Sequence, residues 1–304
     1  MKRKNIIQRL TMPLPELEVY YRERRKERFA QGKRLKNIQL REAFYPLFAV
    51  VLKLDRLFRK QKVTVIGNRK KYKEQVIFAC THTWENDLEN IYEVLGRGCW
   101  WFVGDPCVLY KDISGLLVYL NGSIFLETDD KEDRHIAFLR SVELLKGGGS
   151  LMIFPEGARN GSENLPVMPL FSGTAKMAIE SNVKIVPIAI EQFEKRFVIN
   201  FGNELFPKDF DDNTSLTQRL RDDLATLKWE IWEQEGLFAR DSLPKDYREQ
   251  YIQTFAKRLA PWDTLESVER TRFHTKAEIE QKEVEAHLDG LIPCKENAFL
   301  LRKR

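Results

Sequence analysis

The chain has 304 residues, of which 43% are hydrophobic and 31% charged, enough apolar material for a sizeable core in a protein that reads as soluble. No run approaches the roughly 20 apolar residues of a spanning helix, and the N-terminus lacks the apolar stretch of a signal peptide. Cys80, Cys99, Cys107 and Cys294 lack metal-ligand spacing, so a reduced, cytoplasmic protein is expected.

The net charge of +5 hides an asymmetry: residues 1–60 carry 17 Lys and Arg against 6 Asp and Glu, and the rest carries 33 against 39. A basic head on an acidic body points to contact with a polyanion, or to a solvated charged helix over 18–36. Residues 1–37 read as a polar helix or arm. Residues 38–60 interleave Leu40, Phe44, Leu47, Val51, Leu54 and Phe58 with Arg41, Lys53, Arg56, Arg59 and Lys60. That pattern suits a helix lying on an anionic membrane surface, and equally a helix capping a sheet.

From residue 62 the period changes. Strands are predicted over 63–66, 75–81, 99–103, 123–126, 151–154 and 183–190. Helices are predicted over 87–95, 108–120, from an Asp-x-x-Glu start at Asp129 to Gly147, and over 173–181. Alternating strands and helices predict an α/β fold with a largely parallel central sheet flanked by helices. After residue 206, polar helices are predicted over 216–235, 245–259 and 265–287, a C-terminal helical appendage. The expected division is 1–60 as a basic amphipathic N-terminal helical segment, 61–205 as the catalytic domain and 206–304 as the helical extension.

Two motifs carry chemistry. His82-Thr83-Trp84-Glu85-Asn86-Asp87 directly follows a predicted strand, and Asp87 opens the next helix. There, Asp87 would accept the Nδ1 proton of His82, leaving Nε2 free as a general base; the alternative is a His that caps the helix. Phe154-Pro155-Glu156-Gly157-Ala158-Arg159 also follows a strand. Gly157 permits a tight turn with exposed N–H groups, Arg159 suits a phosphate bidentately, and Glu156 can orient that Arg or bind a hydroxyl; the alternative is an ordinary surface turn. A base beside an anion-binding turn is what acyl transfer onto a phosphate-bearing alcohol requires.

His-x4-Asp, then Gly122-Ser123-Ile124-Phe125, then Phe-Pro-Glu-Gly-x-Arg, then Val186-Pro187-Ile188 resemble, in order and spacing, the four blocks of the glycerolipid acyltransferases, with the 1-acylglycerol-3-phosphate acyltransferases as the nearest type. The resemblance covers about residues 60–200. It implies acyl transfer from acyl-CoA or acyl-carrier protein, as substrate and with no bound cofactor or metal, to a lysophospholipid hydroxyl in phospholipid biosynthesis. It implies His82 as base and Asp87 as its partner. Glu156, Gly157 and Arg159 would bind the acceptor, and Val186-Pro187-Ile188 would line the acyl side.

Three departures accompany it. Thr128 stands where the second block usually has an Arg, Ser172 where many members have a Lys, and Trp84 where Ser is common. Arg134 is the candidate to replace a missing cation. Glycerol 3-phosphate or a glycolipid is therefore an alternative acceptor, and a non-catalytic lipid-binding protein is a further alternative. With no spanning helix, residues 1–60 are expected to dock peripherally on the inner, anionic face of a membrane. No nucleic-acid motif accompanies the basic head, so no nucleic-acid partner is expected.

Overall fold

Strand and helix alternate from Ile77 to Phe193, and with the strands at Lys62–Gly67 and Arg196–Phe201 the described strands form one seven-stranded sheet. The computed structural model describes residues 4–83, 86–111, 113–162, 165–235, 244–259 and 263–274. The chain divides into two units, Met1–Arg272 and Phe273–Arg304, and the sheet with its flanking helices belongs to the first.

The strands are β1 (Lys62–Gly67), β2 (Ile77–Cys80), β3 (Trp100–Gly104), β4 (Ser123–Leu126), β5 (Leu151–Ile153), β6 (Ile185–Phe193) and β7 (Arg196–Phe201). Their order across the sheet is β1-β7-β6-β2-β5-β3-β4. Pairings among β6, β2, β5, β3 and β4 are all parallel, β7 runs antiparallel to β6, and β1 is parallel to β7. The five parallel strands therefore end along one edge, where the connecting loops of such sheets gather.

The period-2 alternation decides which side chains face which layer. Ile77, Ala79, Trp100, Leu151, Ile153 and Ile185 face α7 (Lys131–Lys146), α8 (Gly173–Ser181) and α9 (Asn213–Glu235). Phe78, Cys80, Trp101, Met152, Val186 and Ile188 face α4 (Tyr45–Phe58) and α5 (Asp87–Leu95). Both faces are covered, which explains the continuous apolar runs of the parallel strands. Cys80 and Cys99 are free and buried, packed as small hydrophobes.

Several elements differ from the sequence reading. The helix expected over 108–120 is split into a short 3-10 turn, Pro106–Tyr110, and α6 (Ile113–Asn121). Gly115 packs against the Leu109 carbonyl, where a Cβ would collide. The cap of α7 is Asp130, whose side chain accepts the Asp133 N–H; it stands one residue beyond the expected start. Strand β7 has no sequence counterpart, because its hairpin turns through Glu194-Lys195, with Glu194 at φ 53, and lacks the usual Gly signal. The last predicted helix shortens to α11 (Leu265–Thr271), with Arg272 extended; residues 275–287 lie outside the described ones. Between α9 and α11 lies α10 (Tyr247–Arg258).

The N-terminal segment forms α1 (Ile6–Thr11), α2 (Leu14–Ala30), α3 (Ile38–Ala43) and α4. Much of the basic charge of α2 is internally paired. Arg25 donates to both Asp133 oxygens at 3.1 and 2.6 Å, to Glu127 at 3.1 Å and to the Tyr110 hydroxyl at 2.7 Å. Lys26 meets Asp130 at 2.8 Å and Glu132 at 3.0 Å. The basic helix thus lies on the acidic first turn of α7, where carboxylates also suit the helix dipole. Among the described residues no helix is long and apolar enough to cross a membrane.

Candidate active site

His82 leaves the sheet two residues after β2. Thr81 is still tied to β6, its N–H donating to Ile188 O at 3.0 Å and its Oγ1 accepting the Ile190 N–H at 3.0 Å. The His82 backbone is then gripped from the β5 loop on both sides. Its N–H donates to Glu156 Oε1 at 3.3 Å, and its carbonyl accepts the Asn160 N–H at 2.7 Å. Its ring stacks on Phe154 with centroids 4.2 Å apart and planes at 19°.

His82 Nδ1 lies 3.1 Å from Asp87 Oδ2, and the same oxygen accepts the Thr83 N–H at 2.6 Å. Asp87 is wholly buried at the first position of α5. A carboxylate there assigns the ring proton to Nδ1 and leaves Nε2 as the acceptor. Burial, reinforced by the Arg159 charge, holds the His82 imidazole below its ordinary pKa, with Asp87 opposing. The ring is therefore neutral, as a base must be.

Glu156 does not face the mouth of the site. It is wholly buried, one oxygen on the His82 N–H and the other on the Met168 N–H at 2.8 Å. Burial pushes its pKa up to about 7. Gly157 is exposed at φ +74, and a Cβ there would meet the Phe171 ring. Arg159 is half-buried; Nε donates to Asp263 Oδ2 at 3.0 Å, while Nη1 is buried without a hydrogen-bond partner. Glu89, two residues along α5 from Asp87, has a buried, unpartnered Oε2, and burial lifts its pKa to about 7.

Arg134 is not brought to this cluster. It is exposed on the first turn of α7 and donates to the Thr128 carbonyl beyond β4. Because β5 and β3 separate β4 from β2, the two loops stand three strand spacings apart, about 14 Å. Thr128 is itself committed: its N–H and Oγ1 both donate to Asp105, at 2.9 and 2.7 Å. Ser172 precedes α8 without a side-chain cap bond. Trp84 lies outside the described residues. Val186, Pro187 and Ile188 are buried in β6, with Val186 and Ile188 inside the α4–α5 layer. The expectation that this block lines the acyl side is thus corrected: an interior strand covered on both faces presents no wall to a ligand.

Two further charged residues were not legible as site residues. Asp263 lies just before α11, and only the folded chain brings it to Arg159. Lys228 left a trace: with Leu224, Leu227 and Ile231 it completes an i, i+3, i+4, i+7 stripe, putting a cation where an apolar residue is expected.

Residues 62–191 match the family model described as Acyltransferase. A 1-acyl-sn-glycerol-3-phosphate acyltransferase of Saccharomyces cerevisiae is 24% identical over 148 residues, 48% of this chain and 46% of that one. One of Haemophilus influenzae is 25% identical over 99 residues, 32% of this chain and 40% of that one. The chain thus spans about half the length of the curated relatives it matches. Among solved structures, the 1-acyl-sn-glycerophosphate acyltransferase PlsC of Thermotoga maritima shares the fold, with a TM-score of 0.53 and 17% identity over 70% of this chain and 88% of that one. Residues 62–191, which hold the His82–Asp87 and Glu156–Arg159 loops, are thus an acyltransferase domain similar to those of the 1-acyl-sn-glycerol-3-phosphate acyltransferases.

Proposed function

We propose that the protein transfers a fatty acyl group from a thioester donor, acyl-CoA or acyl-carrier protein, to the free hydroxyl of a 1-acylglycerol-3-phosphate-like acceptor. The observation that carries this reading is the 3.1 Å contact of His82 with Asp87 beside an arginine-bearing turn. His82 Nε2 takes the acceptor's hydroxyl proton as the oxygen attacks the thioester carbonyl carbon. The tetrahedral intermediate then collapses, the C–S bond breaks, and the departing thiolate takes the proton from the imidazolium. Asp87 holds the tautomer and stabilises that imidazolium. Glu156 holds the His82 backbone from below. The Arg159 guanidinium, whose Nη1 has no hydrogen-bond partner, anchors the phosphoryl end, and the Gly157 turn lets the headgroup approach. Arg134, farther along the edge, would engage a more distant part of the acceptor.

A second acceptor class has one specific observation in its favour. Thr128 and its Asp105 partner fill the place of a phosphate-binding cation, so glycerol 3-phosphate or a glycolipid stands as the alternative. Purified protein given labelled acyl-CoA and acyl-carrier protein with a panel of lysolipids, glycerol 3-phosphate and glycolipids decides between them. Acyl product that depends on His82 and prefers lysophosphatidic acid supports the reading. Binding without product would favour a silent lipid-binding protein.

The same reading puts the protein on an anionic membrane at the cytoplasmic face. Leu47, Val50, Val51, Leu54 and Leu57 form an exposed apolar stripe on α4, and Leu116, Leu117 and Leu120 are exposed on α6. Arg41 of α3, the helix before α4, donates to the Tyr119 and Leu120 carbonyls of α6. Exposed Lys53 and Lys60 flank the stripe. An outward apolar face beside cations fits an interfacial helix, whereas Arg22, Arg25 and Lys26 of α2 are paired with carboxylates at the start of α7.

A further inference from the structure

Lys228 is a cation built into the buried face of α9. The residue is only 2% exposed, and its ammonium uses three donors. It reaches Glu191 Oε2 at 3.0 Å, the Ile190 carbonyl, and Thr83 Oγ1 at 3.2 Å. The Trp232 indole N–H donates to the same Glu191 oxygen at 2.9 Å. Thr83 follows His82, and its own N–H makes the 2.6 Å bond that fixes Asp87. One continuous set of polar contacts therefore runs from α9 to the imidazole: Trp232, Glu191, Lys228, Thr83, Asp87, His82.

Packing alone does not explain a lysine here. A buried ion pair replaced by well-packed apolar residues is often neutral or stabilising, and Leu224, Leu227 and Ile231 already dock α9 on the sheet. What the ammonium adds is a grip on the Thr83 hydroxyl across the end of β6. We propose that Lys228 is a positioning residue for the base: by holding Thr83 it fixes the turn whose backbone N–H aims the Asp87 carboxylate at His82 Nδ1. This rests on the acyl-transfer reading of that pair. Lys228 lies outside the residues of the matching acyltransferase model, 62–191, so the C-terminal helices contribute to the chemistry of the domain they follow.

The test uses the full chain and four variants: Thr83→Val, Lys228→Met, Lys228→Arg and the Thr83→Val/Lys228→Met double. Thr83→Val keeps the backbone N–H, adds no charge and removes only the hydroxyl, so it answers even where Lys228→Met fails to fold. With the acceptor that the parent prefers, Thr83→Val and Lys228→Met each lower kcat about 10- to 100-fold, the scale of a small misplacement of reacting groups, while KM stays within about twofold. Lys228→Arg, which keeps the donors, stays above Lys228→Met. The double variant is no worse than the poorer single one, because both break the same link.

Imidazole NMR of the full chain reads the same link without turnover, with the His82 signal assigned by its loss in His82→Ala. Asp87, Arg159 and Asp263 are the charges that bear on that ring, and Thr83→Val changes none of them. Its His82 titration midpoint is expected to fall as the hold of Asp87 loosens. If kcat and the His82 midpoint both stay parental in Thr83→Val, or if the two single losses multiply in the double variant, the inference falls and the acyl-transfer reading stands. If the parent acylates no acceptor, that reading falls instead, and an unmoved His82 midpoint alone overturns the role of Lys228.

Discussion

Glu156 Oε1 accepts the backbone N–H of His82 at 3.3 Å, joining two motifs 74 residues apart. His82 is held by its side chain through Asp87 and by its backbone through Glu156. The two loops belong to neighbouring parallel strands, β2 and β5, so one small headgroup can touch both.

Removing the base or its partner separates chemistry from binding. His82→Ala is expected to lower kcat by about 10²- to 10⁴-fold, the usual worth of a general base. Asp87→Asn is expected to fall within the same range by favouring the wrong tautomer. KM for the acceptor should change little in either. Steady-state kinetics with the preferred acceptor checks this, and a His82→Ala variant as active as the parent would refute the assigned base.

The acid limb of the pH profile follows from burial of His82. Its imidazole sits below the ordinary value, and only the neutral ring accepts a proton. The rate should therefore rise with pH through a midpoint below about 6.5 and then level. A kcat/KM profile reports that midpoint for the free enzyme; a midpoint above 6.5 would contradict the burial argument.

Glu156 predicts a pH-dependent stability. Its pKa is raised from 4.5 to about 7, so the unfolded chain ionises first. The stability that goes with the protonated carboxyl is fully present below about pH 4.5 and is lost as pH rises through 7. Glu156→Gln cannot ionise but loses one acceptor for the His82 and Met168 N–H groups. It should be less stable than the parent at pH 4.5, with a deficit that shrinks toward pH 7 or above. Denaturant midpoints at several pH values measure the trend, and a constant deficit would count against it.

At the anion-binding turn, two substitutions act differently. Arg159→Ala should raise KM for phosphorylated acceptors about tenfold or more and leave KM for uncharged acceptors nearly unchanged, since one charge-assisted hydrogen bond is worth roughly 1.5–3 kcal/mol. Gly157→Ala should destabilise the fold by roughly 1–3 kcal/mol, because a Cβ meets Phe171 in a left-handed backbone. Acceptor-dependent kinetics reads the first, and thermal unfolding the second.

For the apolar stripe of α4, Leu54→Asp together with Leu57→Asp should reduce flotation with anionic vesicles several-fold while leaving Tm within a few degrees, since both side chains are already half exposed. Unchanged flotation would move the membrane contact elsewhere.

Local periodicity was enough to place most of the sheet and its neighbours. The expected spans of β4, α5 and α8 agree with the observed ones residue for residue, because each is bounded by a strong local signal: Gly122 before β4, Gly96 after α5, Gly173 opening α8. Where the local signal is weak, as at the glycine-free hairpin into β7, periodicity does not mark the strand. The candidate site residues His82, Asp87, Gly157 and Arg159 can be placed in the sequence for the same reason, since each sits at a strand end or helix start that the nearby pattern marks.

What the amino-acid order determined by itself was the alternation of strand and helix and the identity of the groups at the strand ends. The tertiary structure alone decided which of those groups meet. It turned Glu156 inward, left Arg134 about three strand spacings from His82, brought Asp263 to Arg159, and set Lys228 against Thr83, 145 residues away. Strand order and helix docking control such contacts, and both arise from burying apolar area across the whole sheet, a quantity that no short window of residues contains.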